Sequence, residues 1–135
     1  MFAVKRAAWH FDRVAAEAFA EDGLGIMEGL VLAAVFFEAP RAIKPSHLAE
    51  TFSTTRGNVS HVISSLEAKG FVQRKIDPSD ARAYLLTLNP PGKRCALRVI
   101  AAFDKMQQGF EQSVGRSALK NALDVIRTLE SLGRI

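Results

Sequence analysis

One cysteine, Cys95, is all the sequence holds, so no intramolecular disulfide can form. Long apolar runs are missing as well. The longest, residues 29–37, falls far short of the roughly 20 residues that a membrane-spanning helix needs. Residues 1–10 carry Lys5 and Arg6, but no apolar segment or small-residue cleavage site follows them, so no secretory signal is expected. Together these absences point to the cytoplasm. Catalytic signatures are absent too: there is no glycine-rich phosphate loop and no nucleophile elbow. His10, His47 and His61 fall in separate segments, and His47 with Glu50 makes two ligands where a zinc site needs more. No enzyme activity, metal or resident cofactor is expected.

What the sequence does have is charge placed unevenly. The 135 residues carry a net charge of +4. Residues 40–94 hold nine basic side chains (Arg41, Lys44, Arg56, Lys69, Arg74, Lys75, Arg82, Lys93, Arg94) against four acids, while the rest of the chain has nine basic and ten acidic residues. The whole positive excess lies mid-chain. A polyanion-binding centre has this pattern, and so does chance clustering on a solvated face.

Periodicity gives the elements. Val4, Ala7, Phe11, Val14 and Ala18 recur at helical spacing over residues 3–20, with Gly23 and Gly25 beyond. Residues 25–38 are apolar nearly all round, as in a helix at the middle of a fold. Pro40 closes that helix, and Pro45 opens a short one over residues 46–52. Thr55 is a good N-cap for a helix over 56–69 whose apolar face is Val59, Val62, Ile63 and Leu66, and Gly70 stops it. Residues 71–76 alternate as a strand, residues 77–82 read as a turn, and residues 84–88 as the returning strand. Asn89, Pro90 and Pro91 start a helix with the stripe Val99, Phe103, Met106, Phe110, broken near Gly115. A last helix carries Leu119, Leu123, Ile126, Leu129 and Leu132.

Two helices joined by a tight turn and followed by a β-hairpin define a winged helix-turn-helix. The chain is therefore expected to be mainly α with a small β-hairpin wing. The second helix has small polar residues at its N-terminal end, as entry into a DNA major groove requires. Its free N–H groups also favour phosphate there. The hairpin carries Arg74, Lys75 and Arg82, suited to phosphates or a narrow minor groove. The apolar stripes at both chain ends are wider than one small domain can bury, so a homodimer is expected.

Leu48-Ala49-Glu50, Val59-Ser60, Leu66-Glu67-Ala68-Lys69-Gly70-Phe71-Val72 and Arg74 resemble the DNA-binding core of the MarR family. Asp77-Pro78-Ser79-Asp80-Ala81-Arg82, with Leu86, Leu88 and Gly92, is similar to that family's wing signature. The resemblance implies a single domain over 1–135, with a winged helix-turn-helix core at 40–94 and dimerisation helices at 1–20 and 96–135. It implies binding of palindromic double-stranded operator DNA, most often in repression, and release on binding a small, often phenolic, effector. No membrane partner is implied. Three positions depart from the pattern: Ala81 replaces a second arginine, Asn89-Pro90-Pro91 replaces a Leu-Thr junction, and Thr54 stands where an apolar residue is usual.

The expected DNA-binding set is Arg56, Asn58, Ser60, His61, Ser64, Arg74, Lys75 and Arg82. Arg56, Asn58, Ser60 and His61 are placed at base edges or nearby phosphates, and Arg74 and Lys75 at the backbone. Arg82 reads as a minor-groove probe or as a surface arginine paired with Asp80 in the wing turn; Asp80 fits either reading. His61 reads as a contact to DNA or as a solvated side chain. Cys95, after Lys93 and Arg94, reads as inert or as a thiol of lowered pKa. Trp9, His10 and Arg13 read as an effector lining or as helix packing. The alternative function is a winged helix that binds protein without specific DNA recognition.

Overall fold

The computed structural model describes residues 2–132 and divides into two compact units, Met1–Ala101 and Ala102–Ile135. Residues 1 and 133–135 of the expected terminal dimerisation segments lie outside the described residues. The order is α1 (Phe2–Phe19), a short 3-10 turn (Ala20–Asp22), α2 (Ile26–Glu38), α3 (Pro45–Thr51), α4 (Arg56–Ala68), β1 (Val72–Asp77), β2 (Asp80–Leu88), α5 (Pro90–Val114) and α6 (Arg116–Leu132). No described helix is long and apolar enough to cross a membrane.

The core of the first unit forms around α2, whose Val31, Leu32 and Val35 are buried with Phe19, Leu48, Ile63, Leu66, Val72, Leu86 and Val99. An apolar surface on nearly every side of α2 lets α1 and α4 both pack on it. The α1 stripe differs from the expectation. Val4, Ala7 and Ala18 are exposed, Phe11 and Val14 are half-buried, and the fully buried residues are Ala15 and Phe19. Gly29 is the physical reason: a Cβ there would lie 2.6 Å from the Phe19 ring, so only glycine lets the end of α1 seat against α2.

The wing also differs. β2 begins at Asp80, so the turn is narrower than residues 77–82, and Arg82 stands in a strand. Along β1 only Val72 and Asp77 are buried, and Ile76 is exposed. Beyond its root the hairpin has no layer packed against it, so apolar alternation does not govern it. The root itself is tied down. Ile43 and Leu86 exchange backbone hydrogen bonds of 2.9 and 3.3 Å, and the amide of Asn89 donates to Phe71 O at 2.9 Å. Gly92 packs against that same carbonyl.

In the second unit α5 ends at Gly115, which takes a positive φ of 80°, and α6 follows. No residue of α6 is fully buried; Leu123, Ile126, Leu129 and Leu132 are exposed, as are Phe110 and Val114 on α5.

Candidate nucleic-acid interface

The turn between α3 and α4 passes through Ser53 at a positive φ of 48°. Thr55 then caps α4, its hydroxyl accepting the Asn58 amide at 3.1 Å. The apolar residues Val59, Val62, Ile63 and Leu66 face inward, and Arg56, Asn58, Ser60, His61 and Ser64 are all exposed. Helical spacing puts Arg56, Ser60, Ser64 and Glu67 on one stripe, and Asn58, Ser65 and Lys69 on the opposite flank of the buried face. The expected set therefore spans the exposed arc rather than one line.

Three of its members are engaged within the fold. Asn58 Nδ2 donates to Thr54 Oγ1 at 2.9 Å, which gives a role to the polar residue at that unusual position. Arg74, expected on the DNA backbone, bridges helix and wing instead: Nε donates to Glu67 at 2.9 Å, Nη2 to Ser64 Oγ at 2.9 Å, and the guanidinium lies 4.7 Å from the centre of the Tyr84 ring. Ser64 is thus engaged from the wing side. His61 lines a cavity with Met27, Glu28, Val62, Ser65 and Lys69 at the α2 flank.

Lys75 and Arg82 are exposed, and among the described residues neither side chain forms an ion pair or hydrogen bond. Asp80 does not pair with the Arg82 guanidinium; its Oδ1 accepts the Arg82 backbone amide at 3.0 Å and shapes the start of β2. Asp77 anchors the tip. Its carboxylate accepts the amide and hydroxyl of Ser79 at 2.9 and 2.7 Å and lies 3.0 Å from Lys44 Nζ. Those Ser79 hydrogen bonds, with Lys44, lower its pKa to about 2.

Sequence reasoning missed Glu28. It is 8% exposed, and it accepts hydrogen bonds from the Gly25 amide at 2.7 Å, Ser65 Oγ at 2.6 Å and Lys69 Nζ at 2.8 Å to each oxygen. Burial alone would raise its pKa; the hydrogen bonds from Lys69, Ser65 and Gly25 outweigh that and hold it below the usual value. An acid in the first turn of a largely apolar helix was the available signal. Cys95 is fully buried, and burial together with the nearby Asp22 carboxylate raises its thiol pKa. This is opposite to the lowering that Lys93 and Arg94 suggested, and it favours the inert reading. Trp9 and His10 lie exposed on α1, where His10 Nδ1 is 3.2 Å from Arg13 Nη2. Among the described residues no three potential ligands converge on a metal position.

The candidate interface thus comprises α4, a tethered wing and two wing cations, Lys75 and Arg82, unpaired among the described residues. Residues 38–84 match the model of the MarR family. A curated Thauera aromatica protein, assigned as a transcriptional regulatory protein for the hcr operon, is 26% identical over 87 residues, which are 64% of this chain. The match covers 52% of that relative, so the chain spans about half of its length. Among solved structures, S. aureus MepR in complex with DNA superimposes with a TM-score of 0.89 at 16% identity, covering 96% of this chain and 95% of MepR. A cysteine-to-serine variant of E. coli MarR complexed with operator DNA gives 0.82 at 18% identity, covering 94% and 90%. At such identities the superpositions establish the winged helix-turn-helix fold. Residues 38–84 thus carry a segment similar to the MarR family's core, and the fold over nearly the whole length is that of these solved winged helix-turn-helix proteins.

Proposed function

We propose that the protein is a cytoplasmic transcription regulator that binds palindromic operator DNA as a homodimer. α4 enters the major groove and the wing lies along the backbone and minor groove. The observation that carries this reading is the exposed surface of α4 and the wing. Arg56, Asn58, Ser60 and His61 are exposed, and among the described residues Lys75 and Arg82 are cations without side-chain partners. The exposed apolar residues of α6, with Phe110 and Val114, would be covered by a second copy. Repression by occupancy of the operator is the simplest outcome of such binding.

The effector would be a small aromatic acid. A cavity of about 540 Å³ beside the end of α2 is lined by apolar residues that include Val35, Phe36 and Leu86, and by Arg41, Lys75 and Lys93. Apolar walls with nearby cations suit a planar organic anion. Such a ligand acts on DNA binding only if it prefers one arrangement of the recognition helices.

The test is selection of duplexes from a random-sequence pool, followed by fluorescence anisotropy over a salt series. A selected sequence bound far more tightly than a scrambled one, with affinity falling steeply with salt, is the expected result. Weak binding without discrimination would transfer the winged helix to the protein-interaction reading.

A further inference from the structure

Glu28 and Asp77 are the buried charged residues among those described, and Glu28 lies in the first turn of α2, ahead of the uncharged run 29–37. Its partners are Ser65 and Lys69, one helical turn apart on the same flank of α4. Lys69 Nζ also donates to Gly23 O at 2.6 Å, so its ammonium protons are committed within the fold. On the other flank, Arg74 from the wing holds Ser64 and Glu67. The outward arc of α4 is thus suspended between two charged grips.

Apolar packing by Val59, Val62, Ile63 and Leu66 is non-directional and permits a small roll of the helix. Hydrogen bonds at two points one turn apart do not. A roll of about 20° displaces atoms at the helix's outer radius of about 5–6 Å by roughly 2 Å, more than a hydrogen bond to a base edge tolerates. A partly buried ion pair adds little net stability over apolar groups of the same size, so its contribution here is orientation.

We infer that Glu28 and Lys69 are positioning residues that fix the roll of α4 against α2 and so set the discrimination between operator and other DNA. The inference rests on α4 being the DNA-reading helix. Neither residue needs to touch DNA for it to hold.

The experiment compares wild type with Glu28→Gln, Lys69→Met, the double variant and Lys69→Arg. Each is measured by anisotropy on a duplex selected by the wild-type protein and on its scrambled counterpart, at a temperature where circular dichroism shows every variant folded. Glu28→Gln and Lys69→Met are expected to lower the ratio of the two affinities by roughly tenfold. Affinity for scrambled DNA and the salt slope stay at their wild-type values, the double variant is no worse than the poorer single, and Lys69→Arg keeps most of the ratio. Hydrogen exchange in the free protein is expected to quicken at the C-terminal amides of α4 in both single variants. An unchanged ratio in Glu28→Gln overturns the inference. So does a Lys69→Met variant that weakens both DNAs alike and flattens the salt slope by about one ion, because Lys69 would then be a phosphate contact. Unchanged exchange overturns it while leaving the DNA-reading assignment intact. A wild-type protein that selects no sequence overturns that assignment, and the inference with it.

Discussion

Lys44 Nζ stands 3.0 Å from the Asp77 carboxylate, joining the residue before α3 to the end of β1. The wing therefore hangs from the helix-turn-helix by a charge as well as by the Ile43–Leu86 backbone bridge. Hydrogen bonds from Ser79, with Lys44, hold the Asp77 carboxyl at about 2, below its ordinary 3.8. A carboxylate whose folded pKa lies below its unfolded one stabilises the fold fully above about pH 4, and that contribution is lost as pH falls through the folded value. Thermal unfolding between pH 5 and pH 2 should show this loss in wild type. Asp77→Asn should be less stable at neutral pH and fall less steeply with acid; equal slopes for the two proteins would count against the anchor.

Gly92 marks the other end of the wing. A Cβ there would overlap the Phe71 carbonyl oxygen, which is backbone and already accepts the Asn89 amide. Gly92→Ala is expected to destabilise the protein by about 2–4 kcal/mol in denaturant unfolding. A change within about 0.5 kcal/mol, as at an ordinary surface site, would show that the junction is not tight.

Ser53 turns the chain between α3 and α4 in the left-handed region. A non-glycine residue there carries a conformational cost that glycine avoids, partly offset by glycine's greater freedom when unfolded. Ser53→Gly should therefore raise stability by up to about 1 kcal/mol without altering DNA affinity. A lower melting temperature in the variant would contradict this.

Assembly is tested on α6. Ile126→Glu and Leu129→Glu change exposed residues, so the protomer should stay folded. Sedimentation at micromolar concentration is expected to show a wild-type dimer and a shift to monomer in the double variant, with operator binding weakened although no DNA-facing residue has changed. A wild-type monomer would remove the dimer from the account.

Much of the fold was legible because its signals are local. Thr55 as a cap, the inward face from Val59 to Leu66, Gly70 as a stop and the turn-forming residues after Ile76 together announce the helix and hairpin. What escaped depends on partners distant in sequence. The stripe on α1 was drawn along Val4, Ala7 and Ala18, but Ala15 and Phe19 are the buried pair, and Phe19 seats where Gly29 on another helix leaves room. Lys69 looked like one more basic residue until Glu28, 41 positions away, was brought beside it. Arg74 looked free because nothing in the order of residues places Tyr84 and Glu67 around it. Asp80 to Arg82 read as turn because a wing strand exposed on both faces leaves no apolar alternation.

The central claim, that α4 reads bases while the wing cations serve the backbone and minor groove, is tested most directly by operator affinity on a panel of single-base variants at fixed salt. Wild type would be compared with Arg56→Ala, Asn58→Ala, Lys75→Ala and Arg82→Ala. Arg56→Ala and Asn58→Ala should lose discrimination at particular base pairs, by about 1–3 kcal/mol where the contact is bidentate. Lys75→Ala should weaken every duplex alike and, in a salt series, reduce the slope by about one ion. Arg82→Ala should lose most where the minor groove is narrow. Equal losses by all four proteins on every duplex, or no loss by any, would contradict base reading by α4.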